Sequence, residues 1–333
     1  MRETVDNAQG MNNWLERLDD WLDGLDGDYA KDVPTVAESV GGVFPVKYLP
    51  SGFLSGGQFV SPVYEAGRYK GEPKDRYILR ADDHEVHGNA VLGTHSGKYP
   101  ERDGYKHVYE TLENLFPESC TGVHVFGAGE RVVVEQQLDE PLDLGDGDTI
   151  QPFIYTRMSL NGVWKTEIIP MQKRLACENM LGHSGQLVSV RATKNHDDHL
   201  TMRSAVLETS MEQARKLANI ARVLKDQEFT DMQFYQMVQQ IVPVLGEDAP
   251  PRAITNRNKK VAAIGNTWAT EKGTWANTNG YGNKWLAYNA VQGAEQHLIN
   301  SVYKSTQQAY DKSYAAALDG KTPLASKALA YLV

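Results

Sequence analysis

The stretch GVHVFGAGERVVVEQQ, residues 122–137, decides the fold class. Two valine-rich, strand-like runs flank Gly127-Ala128-Gly129-Glu130, a glycine-containing connection of hairpin length. A connection that short can only join antiparallel strands. Similar runs lie on both sides: QFVSPVYEA (58–66), RYILRA (76–81), NAVLGTHS (89–96), TIQPFIYTRMS (149–159), VWKTEII (163–169) and QLVSVRAT (186–193). Two helical patterns interrupt them, GYKHVYETLENLF (104–116) and, after Pro170, MQKRLACENML (171–181). Pro170 suits a strand end or a first helical turn, where its missing N–H is no loss.

From His196 onward the apolar period becomes helical. LTMRSAVLETSMEQARKLANIARVLKDQ (200–227) reads as one long helix, and TDMQFYQMVQQIVP (230–243) opens with Thr230 and Gln233 at capping-box spacing. GNKWLAYNAVQGAEQHLIN (282–300) gathers Ala287, Ala290, Val291, Ala294 and Leu298 on one face and Trp285, Tyr288, Asn289, Gln292 and Gln296 on the other. A face of aromatic rings and amides is unusual for a helix side turned to water. The expected fold is α+β, an antiparallel-rich sheet with interposed helices and a helical C-terminal third. Residues 1–40 form an acidic arm and the start of a linker, 41–195 the α+β body, and 196–333 the helical region with a basic, aromatic-rich loop over 251–285.

Across 333 residues the charged fraction is 23% and the formal net charge −9, ordinary for a globular protein and not that of a uniformly basic nucleic-acid binder. The charge is uneven. Residues 1–40 carry three basic and ten acidic side chains; residues 251–285 carry six basic side chains and one acid. No apolar run is long enough for a bilayer and no secretion signal opens the chain, so a cytoplasmic, membrane-free setting is expected. Two cysteines, Cys120 and Cys177, fit a reducing compartment.

Phosphate-loop and dinucleotide signatures are missing, as is a GxSxG elbow, so an ATP-driven motor or a hydrolase is not expected, and no enzyme activity or cofactor is assigned. DDHEVH places His84 and His87 among carboxylates, and HDDH places His196 and His199 around Asp197 and Asp198. Such groups can bind a divalent metal, but in polar turns they read as solvated side chains, and no metal site is assigned. In 251–285, Arg252, Arg257, Lys259, Lys260 and Lys272 are interleaved with Trp268, Trp275 and Trp285. Cations that track phosphates beside aromatic plates that stack bases are what single-strand binding requires. Lys173 and Arg174 are second candidates for phosphate contact.

Two segments carry a family resemblance. VWKTEIIPMQKRLACENML and GNKWLAYNAVQGAEQH resemble a large family of phage- and plasmid-borne proteins of unknown function. Its T-P-V-R-V-V-C-x-N-T segment corresponds here to the run from Ile169 and Pro170 through Arg174 to Cys177 and Asn179. Its late G-T-x-W-x-A-Y-N-A-V segment corresponds to Gly282, Trp285, Ala287, Tyr288, Asn289, Ala290 and Val291. The family's S-H-D-G is replaced by Ser159, Leu160, Asn161 and Gly162, and its threonine by Ile169. The resemblance implies a mobile-element origin and a similarity to ATP-independent annealing recombinases. The resulting expectation is a single-stranded DNA binding and annealing protein of recombination or replication, working as a homo-oligomer. The alternative is an accessory protein that modulates a host protein, docking through the acidic arm with Trp14 and Trp21.

Overall fold

The computed structural model describes residues 31–50, 53–55, 58–60, 75–82, 90–96, 103–138, 141–177, 179–181, 188–190, 206–246, 248–275, 280–299 and 314–333. The acidic arm up to residue 30, and His84, His87, His196 and His199, lie outside these residues. The protein is α+β, with antiparallel sheets and its helices concentrated in the C-terminal part.

At the centre is a seven-stranded sheet. Its main path runs β11 (Asn179–Leu181), β10 (Thr166–Arg174), β9 (Thr149–Ser159), β7 (Arg131–Gln137) and β6 (Cys120–Phe126). Two short strands join it: β8 (Leu142–Asp143) on β9 and β12 (Val188–Val190) on β10. β6 and β7 form the expected hairpin. Gly127 and Gly129 have φ of 62° and 99°, values that L side chains resist, and a Cβ on Gly129 would stand 2.5 Å from the Phe44 ring. β1 (Val46–Pro50), β4 (Asp75–Arg80) and β5 (Val91–Ser96) make a separate three-stranded sheet. β2 (Phe53–Ser55) and β3 (Gln58–Val60) make a small hairpin.

Alternation along the strands sorts the central sheet into two faces. Val132, Val134, Ile154, Met158 and Ile168 pack with α1 (Val33–Ser39) and α2 (Lys106–Leu115) through Val33, Ala37, Val108, Tyr109 and Leu112. Residues 31–40 therefore belong to the body: Lys31 bridges to Cys120, and Val33 and Ala37 are completely buried. The opposite face, with Phe126, Val133, Phe153, Tyr155, Ile169 and Met171, is covered by Tyr314, Ala317 and Leu318.

Residues 171–181 are not a helix. β10 runs straight through Pro170 to Arg174, turns at residues 175–177, and returns as β11. Pro170 pairs with Ile154 on the inner side. On the outer side β12 covers only 166–168 and β11 only 172–174. The proline thus sits where no outer neighbour requires its N–H, which is how a sheet tolerates it.

The C-terminal part builds a third core with Leu144, Ile150 and Leu181 of the sheet. α3 (Val206–Lys225) lies against β8, β9 and β10. α4 (Asp231–Ile241) starts at Thr230, whose hydroxyl accepts from Gln233 N while the Gln233 side chain accepts from Thr230 N, the expected capping box. β13 (Glu228–Phe229) pairs with β14 (Gly282–Asn283). α6 (Lys284–Gly293) continues into a π-helical turn over Ala294–Leu298, and α7 (Pro323–Leu332) closes the chain. Among the described residues no helix is long and apolar enough to cross a membrane.

The largest departure is at 251–285. Instead of a loop, residues Pro251–Trp275 form α5, 25 residues long. Val261, Ile264, Trp268 and Trp275 follow one another at steps of three, four and seven, a helical stripe whose missing member is Glu271.

Candidate nucleic-acid interface

Pro251 begins α5 at a position where its fixed φ is favourable and its missing N–H costs nothing. Arg252, Asn256, Lys259 and Lys260 follow at i, i+4, i+7 and i+8, so they share one face, and all four are exposed. No acidic side chain occurs between Pro251 and Thr270. Arg257 is on another face and half-buried. Its Nε donates to the Pro243 carbonyl at 3.1 Å and its Nη2 to Gln239 Oε1 at 2.6 Å, so it ties α5 to the end of α4. Lys260 lies near enough to Glu295 to favour that carboxylate's charge, although burial raises its pKa overall. The first half of α5 is thus a cationic ridge.

The second half of α5 is occupied differently. Trp268 is buried, stacked on Phe234 at 4.4 Å with rings 7° from parallel, and its Nε1 donates to Asp231 Oδ1 at 2.8 Å. Lys272 Nζ donates to the same Asp231 oxygen at 2.8 Å. Gly282 is needed here, because a Cβ would fall 2.3 Å from the Trp268 ring. Trp285 is 0% exposed, and its Nε1 donates to Asp148 Oδ2 at 3.0 Å. Trp275 is half-buried, with the Arg174 guanidinium 5.5 Å from its ring centroid. These three tryptophans bind the core together, and neither Trp268 nor Trp285 has a free face for a base. Their expected stacking role is corrected accordingly.

Arg174 and Lys173 are also committed. Arg174 grips Asp148 with Nε at 2.8 Å and Nη2 at 3.0 Å, and reaches Glu271 Oε2 with Nη1 at 2.7 Å. Burial opposes its charge, but the carboxylates of Glu271 and Asp148 outweigh burial and keep it a cation. Cys177 Sγ lies 3.7 Å from Arg174 Nη1, and burial pushes its thiol up to about 12. The Arg174 knot explains the missing member of the α5 stripe: Glu271 is turned into the core to meet a buried arginine. On the other face of the sheet, Lys173 Nζ donates to Glu135 Oε1 at 2.9 Å. Burial works against the Glu135 carboxylate, yet Lys173 and His124 hold it at about 2. Neither cation is available to a phosphate.

Of the ten residues proposed from sequence, the structure therefore groups Arg252, Lys259 and Lys260 on the exposed ridge, with Arg257 beside it. Trp268, Trp285 and Arg174 go to the interior, Trp275 and Lys272 are half-buried against it, and Lys173 is paired with Glu135 on the sheet. Sequence reading missed Asp148 and Glu271, the partners of Arg174. It also missed a second cationic and aromatic cluster on the sheet, formed by Arg131, Arg157 and Trp164. Glu271 carried a signal, as the single acid among six cations in 251–285. Arg131, Arg157 and Trp164 are 33 residues apart end to end and carried none. Among the described residues no group of three or more histidine, cysteine or acidic side chains is placed to hold a metal ion.

A family model described as a domain of unknown function (DUF932) matches residues 107–318. This span takes in the central sheet, the Arg174 knot, α5 and α6. No curated protein and no solved structure matches the chain.

Proposed function

The chain belongs to the DUF932 family, and since that membership brings no activity with it, we propose from the geometry that the protein binds single-stranded nucleic acid without ATP, through the phosphates. The observation that carries this reading is the ridge of Arg252, Lys259 and Lys260, exposed on one face of α5 with no acid in the first 20 residues of that helix. Phosphate contact by lysine and arginine releases counterions and needs no base recognition. A role in recombination or replication of a mobile element, in a host cytoplasm, extends this reading from the motif resemblance at Arg174–Asn179 and Gly282–Val291. Self-association belongs to it as well: Met232 and Val244, 72% and 70% exposed, are apolar side chains that a second copy would cover.

The test is a fluorescence-anisotropy titration of the full chain with a labelled oligonucleotide at two salt concentrations. The expected result is binding that weakens steeply with salt. Absence of binding at low salt, or binding indifferent to salt, would overturn the reading.

A further inference from the structure

The covered face of the central sheet holds a cluster that the ridge on α5 does not use. Arg131, at the start of β7, lies 5.3 Å from the Phe126 ring centroid and 5.2 Å from that of Trp164. Arg157, on β9, lies 5.5 Å from Trp164. Trp164 stands edge-on to Phe126 at 5.4 Å, and its turn is locked by Ser159 Oγ, which accepts from Trp164 N at 2.9 Å and donates to Trp164 O at 2.9 Å. Arg157 Nε donates to its cross-strand neighbour Glu167 at 2.7 Å, which already supplies one counter-charge.

A second carboxylate comes from elsewhere. Residues 314–318 form a helical turn that crosses this face, with Tyr314 seated 4.4 Å from His124 and Leu318 fully buried. The next residue, Asp319, accepts from Arg157 Nη1 through one oxygen and from Lys321 Nζ at 2.9 Å through the other. Gly320, with φ of 66°, then turns the chain toward α7, which packs in a different core. The strap thus links two cores and places one carboxylate on the sheet on its way.

A guanidinium fork is matched to carboxylate and phosphate alike. Bases stack on guanidinium planes as well as on aromatic rings. Arg131 keeps 30% of its side chain exposed over the Trp164 ring, with Glu130 3.9 Å from its Nη2. We propose that Arg131, Trp164 and Arg157 form a second contact for single-stranded nucleic acid, one phosphate in the Arg157 fork and one base on the Arg131–Trp164 plate, and that Asp319 closes it by holding that fork with its own carboxylate. This rests on the reading that the chain binds single strands, and adds to it a site and a built-in competitor.

Asp319→Asn keeps the shape of the strap and removes the competing charge. In the full chain it tightens oligonucleotide affinity about tenfold, the effect of one charge-assisted hydrogen bond exchanged. The gain disappears in Asp319→Asn/Arg157→Lys, which keeps the charge and loses the fork, with folding of each variant checked by its thermal transition. Asp319→Asn with lowered Tm and unchanged affinity would mean that the strap is structural and would overturn the proposal. An equal gain in the Arg157→Lys background would also overturn it, because the effect would then be general charge. The Lys259→Ala/Lys260→Ala double variant separates the two sites. If it loses affinity while Asp319→Asn changes nothing, the ridge stands and the strap proposal falls; if no variant binds, both fall.

Discussion

The side-chain amide of Gln296 replaces a neighbouring strand for Met180: its Oε1 accepts from Met180 N at 3.1 Å and its Nε2 donates to Met180 O at 2.9 Å. A primary amide carries the same donor and acceptor as a peptide, so one helical residue can finish a sheet edge. Gln292 Nε2 adds a second donor to Met180 O at 2.7 Å, and Asn179 Nδ2 donates to Asn289 O at 3.2 Å. The polar face of α6 and its π-helical turn is therefore spent on β11, the edge strand. An unpaired edge invites association with another chain, and this one is sealed.

Gln296→Leu should destabilise the fold by about 1–3 kcal/mol, because it leaves the Met180 N–H buried without a partner. Chemical denaturation of the two proteins measures this. A change within a few tenths of a kcal/mol would show that the amide bridge contributes nothing net.

Trp285→Ala should cost about 3–5 kcal/mol, through the cavity left by a fully buried indole. Trp285→Phe keeps most of the ring but removes the donor to Asp148, and is expected to fall between the two. Oligonucleotide affinity of either variant, measured well below its melting transition, should equal that of the unmutated protein. A loss of affinity with unchanged Tm would return Trp285 to a stacking role.

Lys259→Ala/Lys260→Ala should leave the melting transition in place, since both side chains are exposed. Each phosphate contact contributes about 0.7 to the slope of log affinity against log salt for a single strand, so the slope should fall by roughly 1.4. An unaltered slope would remove these two lysines from the interface.

Glu135 makes stability depend on acid. Its folded pKa of about 2 lies below the ordinary 4.5, so its contribution is present above 4.5 and is lost as the pH falls toward 2. The shift corresponds to something on the order of 3 kcal/mol for this buried carboxylate. Glu135→Gln should accordingly be less stable than the unmutated protein at pH 7, with the difference shrinking below pH 4.5. A difference independent of pH would show that Glu135 acts by packing and not by its charge.

The sheet was legible where strand composition and turn chemistry agree. Arg131–Gln137 and Thr149–Ser159 read as strands because they are runs rich in β-branched and aromatic residues bounded by turn residues, and the turn before Arg131 was legible because Gly127 and Gly129 take positive φ. The Thr230–Gln233 cap was legible for the same reason, since its partners are three residues apart. Two readings failed for opposite causes. In 171–181 a mixed apolar and polar run fits helix and strand equally, and pairing of Met171–Arg174 with Phe153–Ile150 on one side and of Gln172–Arg174 with Leu181–Asn179 on the other decided for the strand. In 251–275, asparagine, threonine and glycine weaken helix propensity, but packing of Ile264 and Trp268 against α4 and α6 outweighs it. The site was half legible: charge density marked the ridge, whereas burial of Trp268 and Trp285 depends on partners such as Phe234 and Asp148 that no local pattern identifies.

The bridge from Gln296 to Met180 also has a time attached to it. The two residues are 116 positions apart, so during synthesis the central sheet is complete well before its edge can be sealed. At about 5–20 residues per second, roughly 6 to 23 s pass between the emergence of β11 and that of its cover. Throughout that interval a nascent chain offers Met180 to any neighbour on the same messenger. Slow translation between residues 181 and 296, or high expression, should therefore favour misassembly of a protein whose finished form covers this edge.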